Sequence, residues 1–406
     1  MPGTTLVSSS LIEAVHDARA RTDAHFSLLQ PSALYQRPIP ERHRLIFYLG
    51  HLEAFDWNQI GRSALGLRSF HPEFDKLFEF GIDPPPGQAA ADQPSDWPTQ
   101  AQVLEYNRLT RQTLDRVLDQ APEQILHIAL EHRLMHAETL AYLFHNLPYD
   151  AKLAPPDLEL APAPGPVPVM ISIPAGSTIL GQSPDCFGWD NEFNRHQVEV
   201  HPFRMAKYKV TNGQYLEFVR AGVPAPHFWV ERDGQWFYRG MFAEVPLPLD
   251  WPVYVTHDEA SAYAKWAGKS LPTEAQFHRA AYTGEDDNTA PYPWGGALPS
   301  PLHGNFDFHR WDPAPVTADP AGDSVFGVAQ LVGNGWEWTS TAFAPFEGFQ
   351  PSPSYPGYSQ NFFDGQHFVL KGASPRTAAC FLRRSYRNWF RPNYPYVYAT
   401  FRVVEN

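Results

Sequence analysis

Glu131-His132-Arg133-Leu134-Met135-His136-Ala137-Glu138 lies within residues 121–146, a stretch whose apolar positions recur at helical spacing. Residues four apart share one helix face, so His132 and His136 can aim both imidazoles at one point. A helix supplies two metal ligands at once in this way. A third histidine, His51, belongs to a second helical segment, Leu45-Ile46-Phe47-Tyr48-Leu49-Gly50-His51-Leu52-Glu53-Ala54-Phe55. Two helices of one bundle can bring the three rings together. The chain carries 17 histidines, so a pair four apart says little until its surroundings are read.

Working outward, residues 9–29, 41–65, 100–118 and 122–146 all show apolar residues at 3.6 spacing, and four such helices suggest an up-and-down bundle. Pro122 stands where a helix tolerates proline, in its first turn. The long connection 69–98 contains Pro84-Pro85-Pro86-Gly87 and is expected to be an ordered loop with short turns. A proline-rich linker follows, with Leu153-Ala154-Pro155-Pro156 and Ala161-Pro162-Ala163-Pro164-Gly165-Pro166, which ends helical structure and stays extended. The expected domains are therefore residues 1–150, a linker at 151–168, and residues 169–406. In the last part, short β-like runs such as Val169-Met170-Ile171-Ser172-Ile173, Gln197-Val198-Glu199-Val200 and Phe368-Val369-Leu370 alternate with Gly, Pro and Asn turns. Two helices are expected there, at 212–221 and 257–267, introduced by the caps Thr211 and Thr256. This is a loop-rich α+β domain, not a doubly wound sheet.

Composition excludes several function classes. The 406 residues include 31 basic and 44 acidic side chains, a net charge of −13, with no long basic run, so nucleic acid is not an expected partner. Two cysteines, Cys186 and Cys380, make no disulfide framework and fit a reducing cytosol. Met1-Pro2-Gly3-Thr4-Thr5 lacks the basic and apolar regions of a secretory leader. No apolar run approaches the roughly 20 residues that span a bilayer. A cytoplasmic protein without membrane partners is expected.

Several stretches of the second domain occur in a telling order. They are Ile173-Pro174-Ala175-Gly176, Lys209-Val210-Thr211-Asn212-Gly213-Gln214-Tyr215, Leu271-Pro272-Thr273-Glu274-Ala275-Gln276-Phe277, Tyr292-Pro293-Trp294-Gly295, Leu331-Val332-Gly333-Asn334-Gly335-Trp336-Glu337-Trp338-Thr339 and Phe401-Arg402. Together they resemble the formylglycine-generating-enzyme-like fold, a variant of the C-type lectin fold. Its oxidase members bind copper through a cysteine pair, whereas the matching region 371–387 holds only Cys380. Formylglycine formation is therefore not expected. The first domain resembles the DinB-like four-helix bundle. The fusion of the two is similar to the EgtB-like sulfoxide synthases of ergothioneine biosynthesis. The implied fold is thus an all-α bundle followed by an α+β lectin-like domain.

That resemblance implies a non-haem Fe(II) held by His51, His132 and His136, with O2 as co-substrate. The implied chemistry joins a chalcogen donor to imidazole C2 of hercynine, the trimethylammonium betaine of histidine. Glu138 is off the ligand face and is expected to orient a ligand or pack the helix. Arg383-Arg384-Ser385-Tyr386-Arg387-Asn388-Trp389-Phe390 corresponds to the family's hercynine-binding stretch. Asn388, Trp389 and Phe390 are candidates to hold the quaternary ammonium, or else they fill the core; some members carry an acidic residue where Phe390 stands. Arg384 and Arg387 either pair with a substrate carboxylate or form structural ion pairs. Trp336-Glu337-Trp338 marks the whole superfamily and reads as core. Members can place a catalytic tyrosine in the region of Phe343 and Phe346; none matches here, and Tyr394, Tyr396 and Tyr398 are the candidates. The stretches 74–84, 362–365 and 394–398 depart from the usual sulfoxide synthases and resemble the selenoneine synthase (SenA) branch. A selenosugar is then the donor, with cysteine or γ-glutamylcysteine as the alternative. A non-catalytic ligand-binding module, or a zinc hydrolase or thiol transferase on the same bundle, are the other classes left open.

Overall fold

The computed structural model describes residues 8–79, 91–153, 163–284 and 288–406. The chain divides into two compact units, Met1–Asp157 and Leu158–Asn406. The prolines at 84–86, the stretch 80–84 and residues 154–162 of the proline-rich linker lie outside the described residues.

The first unit is helical. Its long helices are α1 (Ser9–Phe26), α2 (Leu45–Asp56), α4 (Gln100–Leu114) and α5 (Glu123–His145), with a short α3 (Pro72–Leu77) after α2. α1 packs on α5, and α2 packs on α3, α4 and α5. Pro122 is the cap residue that precedes α5, extended at φ −60° and ψ 135°, so its missing N–H leaves no helical bond unmade. Thr99 and Gln102 close a capping box at the start of α4. Every residue of α2 is buried. A helix wrapped on all sides can carry polar groups only if they are partnered, which sets strict terms for its His51, Glu53 and Asp56.

Two features of this unit differ from the sequence expectation. The segment expected as the last turns of α2 is a π-helix, Trp57–Ala64, and the connection expected as loop contains α3. Both are tied to one buried carboxylate. Asp75 accepts from Trp57 Nε1 at 3.1 Å, Ser69 Oγ at 2.6 Å and Tyr106 Oη at 2.9 Å. The π-helix, the loop after it and α4 thus converge on a residue of α3 that has no local sequence signal.

The second unit is built of small sheets. Its strands are β1 (Met170–Ile173), β2 (Gly176–Leu180), β3 (His196–Val200), β4 (Phe203–Ala206), β5 (Trp229–Arg232), β6 (Gln235–Arg239), β7 (Glu244–Pro246), β8 (Gly335–Ala342), β9 (Phe368–Ala373), β10 (Asn388–Phe390), β11 (Ala399–Thr400) and β12 (Val404–Glu405). They pair in the orders β1-β4-β12, β10-β9-β8-β11, β2-β3 and β5-β6-β7. All pairings are antiparallel except β11 with β8. Three helices join them: α6 (Asn212–Arg220), α7 (His257–Trp266) and α8 (Glu274–Tyr282). α6 and α7 fall where expected; α8 was not expected, although Thr273 caps it as Thr211 and Thr256 cap the others. Phe277 of α8 packs with Ile173, Phe203, Met205 and Leu331 in the core.

Trp336-Glu337-Trp338 lies in β8 and is core throughout. Glu337 is fully buried and accepts from Lys209 Nζ at 2.6 Å and from Arg402 Nε and Nη2 at 2.6 and 2.7 Å. Burial holds the Lys209 ammonium down to about 8, against the pull of Glu337. The triplet therefore supports the fold and presents nothing to a substrate. Among the described residues no helix is long and apolar enough to cross a membrane. Both cysteines are exposed and neither is in a disulfide.

Candidate metal centre

α2 and α5 bring His51, His132 and His136 together. Their ring nitrogens lie within 4.8 Å of one another, and among the described residues no other group of three His, Cys, Asp or Glu donors does this. His51 and His132 are buried and His136 is half-buried. The ring centroids of His132 and His136 are 4.5 Å apart, and those of His51 are 5.1 and 4.8 Å from them.

Each ring is held by its neighbours. His51 Nδ1 donates to the Phe78 carbonyl at 2.7 Å, which keeps the proton on Nδ1 and leaves the Nε2 lone pair free to ligate. The ring stacks on Phe47 at 4.9 Å. His132 stacks on Phe55 at 3.4 Å, nearly parallel at 9°. His136 lies beside Tyr48, with centroids 5.8 Å apart.

The donor set fits a cation. His51 Nε2 and His136 Nε2 are 3.2 Å apart. Two nitrogens each about 2.1 Å from one metal at tetrahedral or octahedral angles are separated by about 3.0–3.4 Å. Burial lowers the pKa of His51 to about 4, opposed by its bond to Phe78. His132 and His136 are pushed well below the usual histidine range by burial and then by neighbouring histidine charge. All three rings are neutral at pH 7, the state in which imidazole binds a metal. Three neutral nitrogens leave positions open on Fe(II) or Zn(II). Glu138 is half-buried on α5 and is not a member of the cluster.

The residues expected to hold substrate all lie in the second unit. Trp389, in β10, stacks on buried Phe343 at 4.2 Å and 6°, with Tyr358 edge-on at 5.3 Å and Phe362 at 5.6 Å. Trp389 and Phe390 are half-buried, so neither is simply core filling. Asn388 turns its Oδ1 to the Trp389 N–H at 2.9 Å. Phe390 stacks on Tyr394 at 5.3 Å, and Tyr394 meets Tyr396 edge-on at 5.1 Å. Tyr398 is buried beside Tyr254 and Phe228, the place of a packing residue rather than of a proton carrier.

The two arginines separate. Arg387 is buried and grips Glu274 from Nε at 3.0 Å and Nη2 at 3.2 Å, while Nη1 reaches the carbonyls of Ala344 and Asn191. All its nitrogens have protein acceptors, so of its two open roles the geometry supports the structural ion pair. Arg384 donates from Nη1 to the Ile179 carbonyl at 3.1 Å and pairs with no carboxylate among the described residues. Burial and the nearby Arg195 lower its pKa.

Sequence reasoning missed the groups that orient the triad: the Phe78 carbonyl, the rings of Phe47 and Phe55, and the buried charges Glu53, Asp56 and Arg133. A signal for the last did exist. Two acids inside an otherwise apolar helix call for a buried cation, and Arg133 stands beside His132.

Residues 156–406 match the family model of the sulfatase-modifying factor enzyme 1-like domain, and residues 14–145 match the DinB superfamily. The chain is 35% identical to the hercynine oxygenase of Mycolicibacterium thermoresistibile, over 72% of this chain and 71% of that protein. It is 38% identical to the hercynine oxygenase of Mycobacterium tuberculosis over 53% of this chain and 55% of the relative. It is 27% identical to ergothioneine biosynthesis protein 1 of Neurospora crassa over 93% of this chain and 56% of the relative. The chain thus spans about half the length of these last two proteins.

Proposed function

The chain belongs to the EgtB-like family, a DinB-type bundle joined to a sulfatase-modifying-factor-like domain, and on that basis we propose that it is an Fe(II)- and O2-dependent enzyme forming a carbon–chalcogen bond at imidazole C2 of hercynine. The observation that carries the proposal is the cluster of three neutral histidines on α2 and α5. The relatives named hercynine oxygenases supply the substrate class.

The roles follow from the chemistry of each side chain. His51, His132 and His136 are the metal ligands, with His51 held in its ligating tautomer by Phe78. Bound iron would supply the oxidising power, through O2, that an unreactive aromatic C–H demands. Trp389, backed by Phe343, offers an aromatic face to the trimethylammonium group, and Asn388 adds a polar atom at the same strand. Among the described residues Arg384 pairs with no carboxylate, and it is the better candidate for the substrate carboxylate. Tyr394 and Tyr396, both half-buried, are the candidate phenols to hold or pass a proton. Glu138 acts on the ligands indirectly, through α5.

The donor we propose is a selenosugar, which would make the chain a selenoneine synthase acting in the cytoplasm. The support is local. The divergent stretch that begins at Phe74 supplies the last turn of α3 and, in its described part, the Phe78 carbonyl that holds His51. Cysteine or γ-glutamylcysteine is the alternative. One competition assay tests both levels. Fe(II)-loaded protein is given hercynine, O2, a selenosugar, cysteine and γ-glutamylcysteine, and products are read by mass. A selenium adduct of hercynine is expected. A sulfur adduct alone would move the chain to the thiol-using enzymes. No adduct would overturn the catalytic proposal, and turnover with Zn(II) in the absence of O2 would point to the hydrolase or transferase class.

A further inference from the structure

The strongest unused feature of the first unit is a buried network of charges alongside the triad. Arg133 follows His132 on α5 and is 1% exposed. Its Nη2 donates to the Leu52 carbonyl at 3.0 Å and to Asp56 Oδ2 at 2.7 Å. Its Nη1 donates to Glu53 Oε1 at 3.0 Å and to Thr22 Oγ1 of α1 at 3.3 Å. Glu53 and Asp56 are each 1% exposed. Further cations close the network: Arg111 of α4 donates to Glu53 at 2.6 Å, and Arg19 Nε lies 3.7 Å from Asp56.

We infer that Arg133 is a positioning residue for the metal ligands: its guanidinium fixes the register of α5 against α2, and so the spacing of His132 and His136 from His51. The placement carries the inference. Leu52 directly follows His51, and Arg133 directly follows His132, so the clamp joins the two helices one residue beyond the ligands on each. Leu52 and Asp56 are four apart and share a face of α2; Arg133 binds both with one nitrogen. A planar fork with both terminal nitrogens engaged has one geometry, whereas a lysine ammonium on a flexible stem has many. Apolar packing alone permits small slides of one helix along another, and slides of that size change a ligand distance by a large fraction of a metal–nitrogen bond. The stacking of His132 on Phe55 and the bond from His51 to Phe78 set ring orientation. The stacked pair also spans α2 and α5 but can slide in its own plane, so the directional bonds that fix the register come from Arg133.

The inference rests on the metal reading of the triad, so the test measures metal binding directly. Co(II), which reports its ligand field in visible absorption, is titrated into the full chain. The proteins are the unmodified chain, Arg133→Lys, the uncharged triple variant Glu53→Gln/Asp56→Asn/Arg133→Met, and Val103→Ala, a buried change on α4 remote in sequence from the ligands. Far-UV circular dichroism verifies the helices of each. The Arg133→Lys and triple variants should bind roughly 10- to 100-fold more weakly, with a shifted Co(II) band. Val103→Ala should melt earlier yet keep the unmodified affinity and band. If Arg133→Lys fails to fold, the triple variant decides, since it removes the buried acids together with their cation while Arg19 and Arg111 keep Asp115 and Asp23 as partners. Unmodified affinity and spectrum in the Arg133 variants would overturn the inference alone. Weakening of the same size in Val103→Ala would also overturn it, since loss of stability would then explain the effect. Absence of Co(II) binding by the unmodified chain would remove the metal reading and this inference together.

Discussion

At the scale of the residue, Gly50 and His51 show how little freedom the site leaves. A Cβ at position 50 would sit 2.6 Å from the ring of Phe78, which is itself fully buried. The carbonyl of that same residue holds His51. Gly50→Ala should therefore destabilise the chain by about 1–3 kcal/mol, the range of an overpacked core, and also weaken metal binding by turning His51. A variant with unmodified melting and metal affinity would show that Phe78 moves freely. The neutral rings make a second prediction. The unfolded chain takes up a proton on His51 near its ordinary 6.5, while the folded chain resists until about 4. Between those values the unfolded state binds more protons, so the stability of the metal-free protein falls as pH falls. Between pH 7 and pH 5 the loss is about 2 kcal/mol for His51 alone. Burial shifts His132, His136, His227, His257 and His278 the same way. Urea midpoints at pH 7 and pH 5 measure it; equal midpoints would contradict neutral burial. The His132 and His136 half of the cluster was legible, because i and i+4 spacing is written in the chain. The orienting partner of His51 was not, because a backbone carbonyl has no letter. The Arg387–Glu274 pair was equally hidden, its partners lying 113 residues apart.

At the scale of the element, start signals read well and irregularities did not. Thr211, Thr256 and Thr273 each close a capping box with Gln214, Glu259 and Gln276. The first two marked their helices in the sequence. The third has the same Thr-x-x-Gln signature and was legible on the same grounds. Thr273→Ala should lower stability by about 1 kcal/mol, the worth of one cap, with metal affinity unchanged since α8 belongs to the second unit. A loss of metal binding in that variant would contradict the assignment of the ligands to α2 and α5 alone. The π-helix Trp57–Ala64 had no signal, because its cause is tertiary: Trp57 reaches across to Asp75 on α3. π segments often mark functional regions, and this one continues the helix that carries His51. α3 itself was hidden by its length, since six residues show too little of a period to be recognised.

At the scale of the molecule, composition and motif order separated a helical first part from a strand-rich second part. The parallel pairing of β11 with β8, which sets Ala399 beside Trp336, is the kind of long-range contact that no local pattern encodes. A net charge of −13 with no basic run leaves the chain without the electrostatic footprint of a nucleic-acid binder. Because three donors come from two helices, removal of any one leaves two, too few to hold a metal tightly. The most direct test is the metal content of the full chain after anaerobic loading with Fe(II) and removal of excess, compared with His51→Ala, His132→Ala and His136→Ala. One iron per unmodified chain is expected, with loss of most of it in every single variant. Full iron content in any one of the three variants, or none in the unmodified chain, would contradict the three-histidine centre.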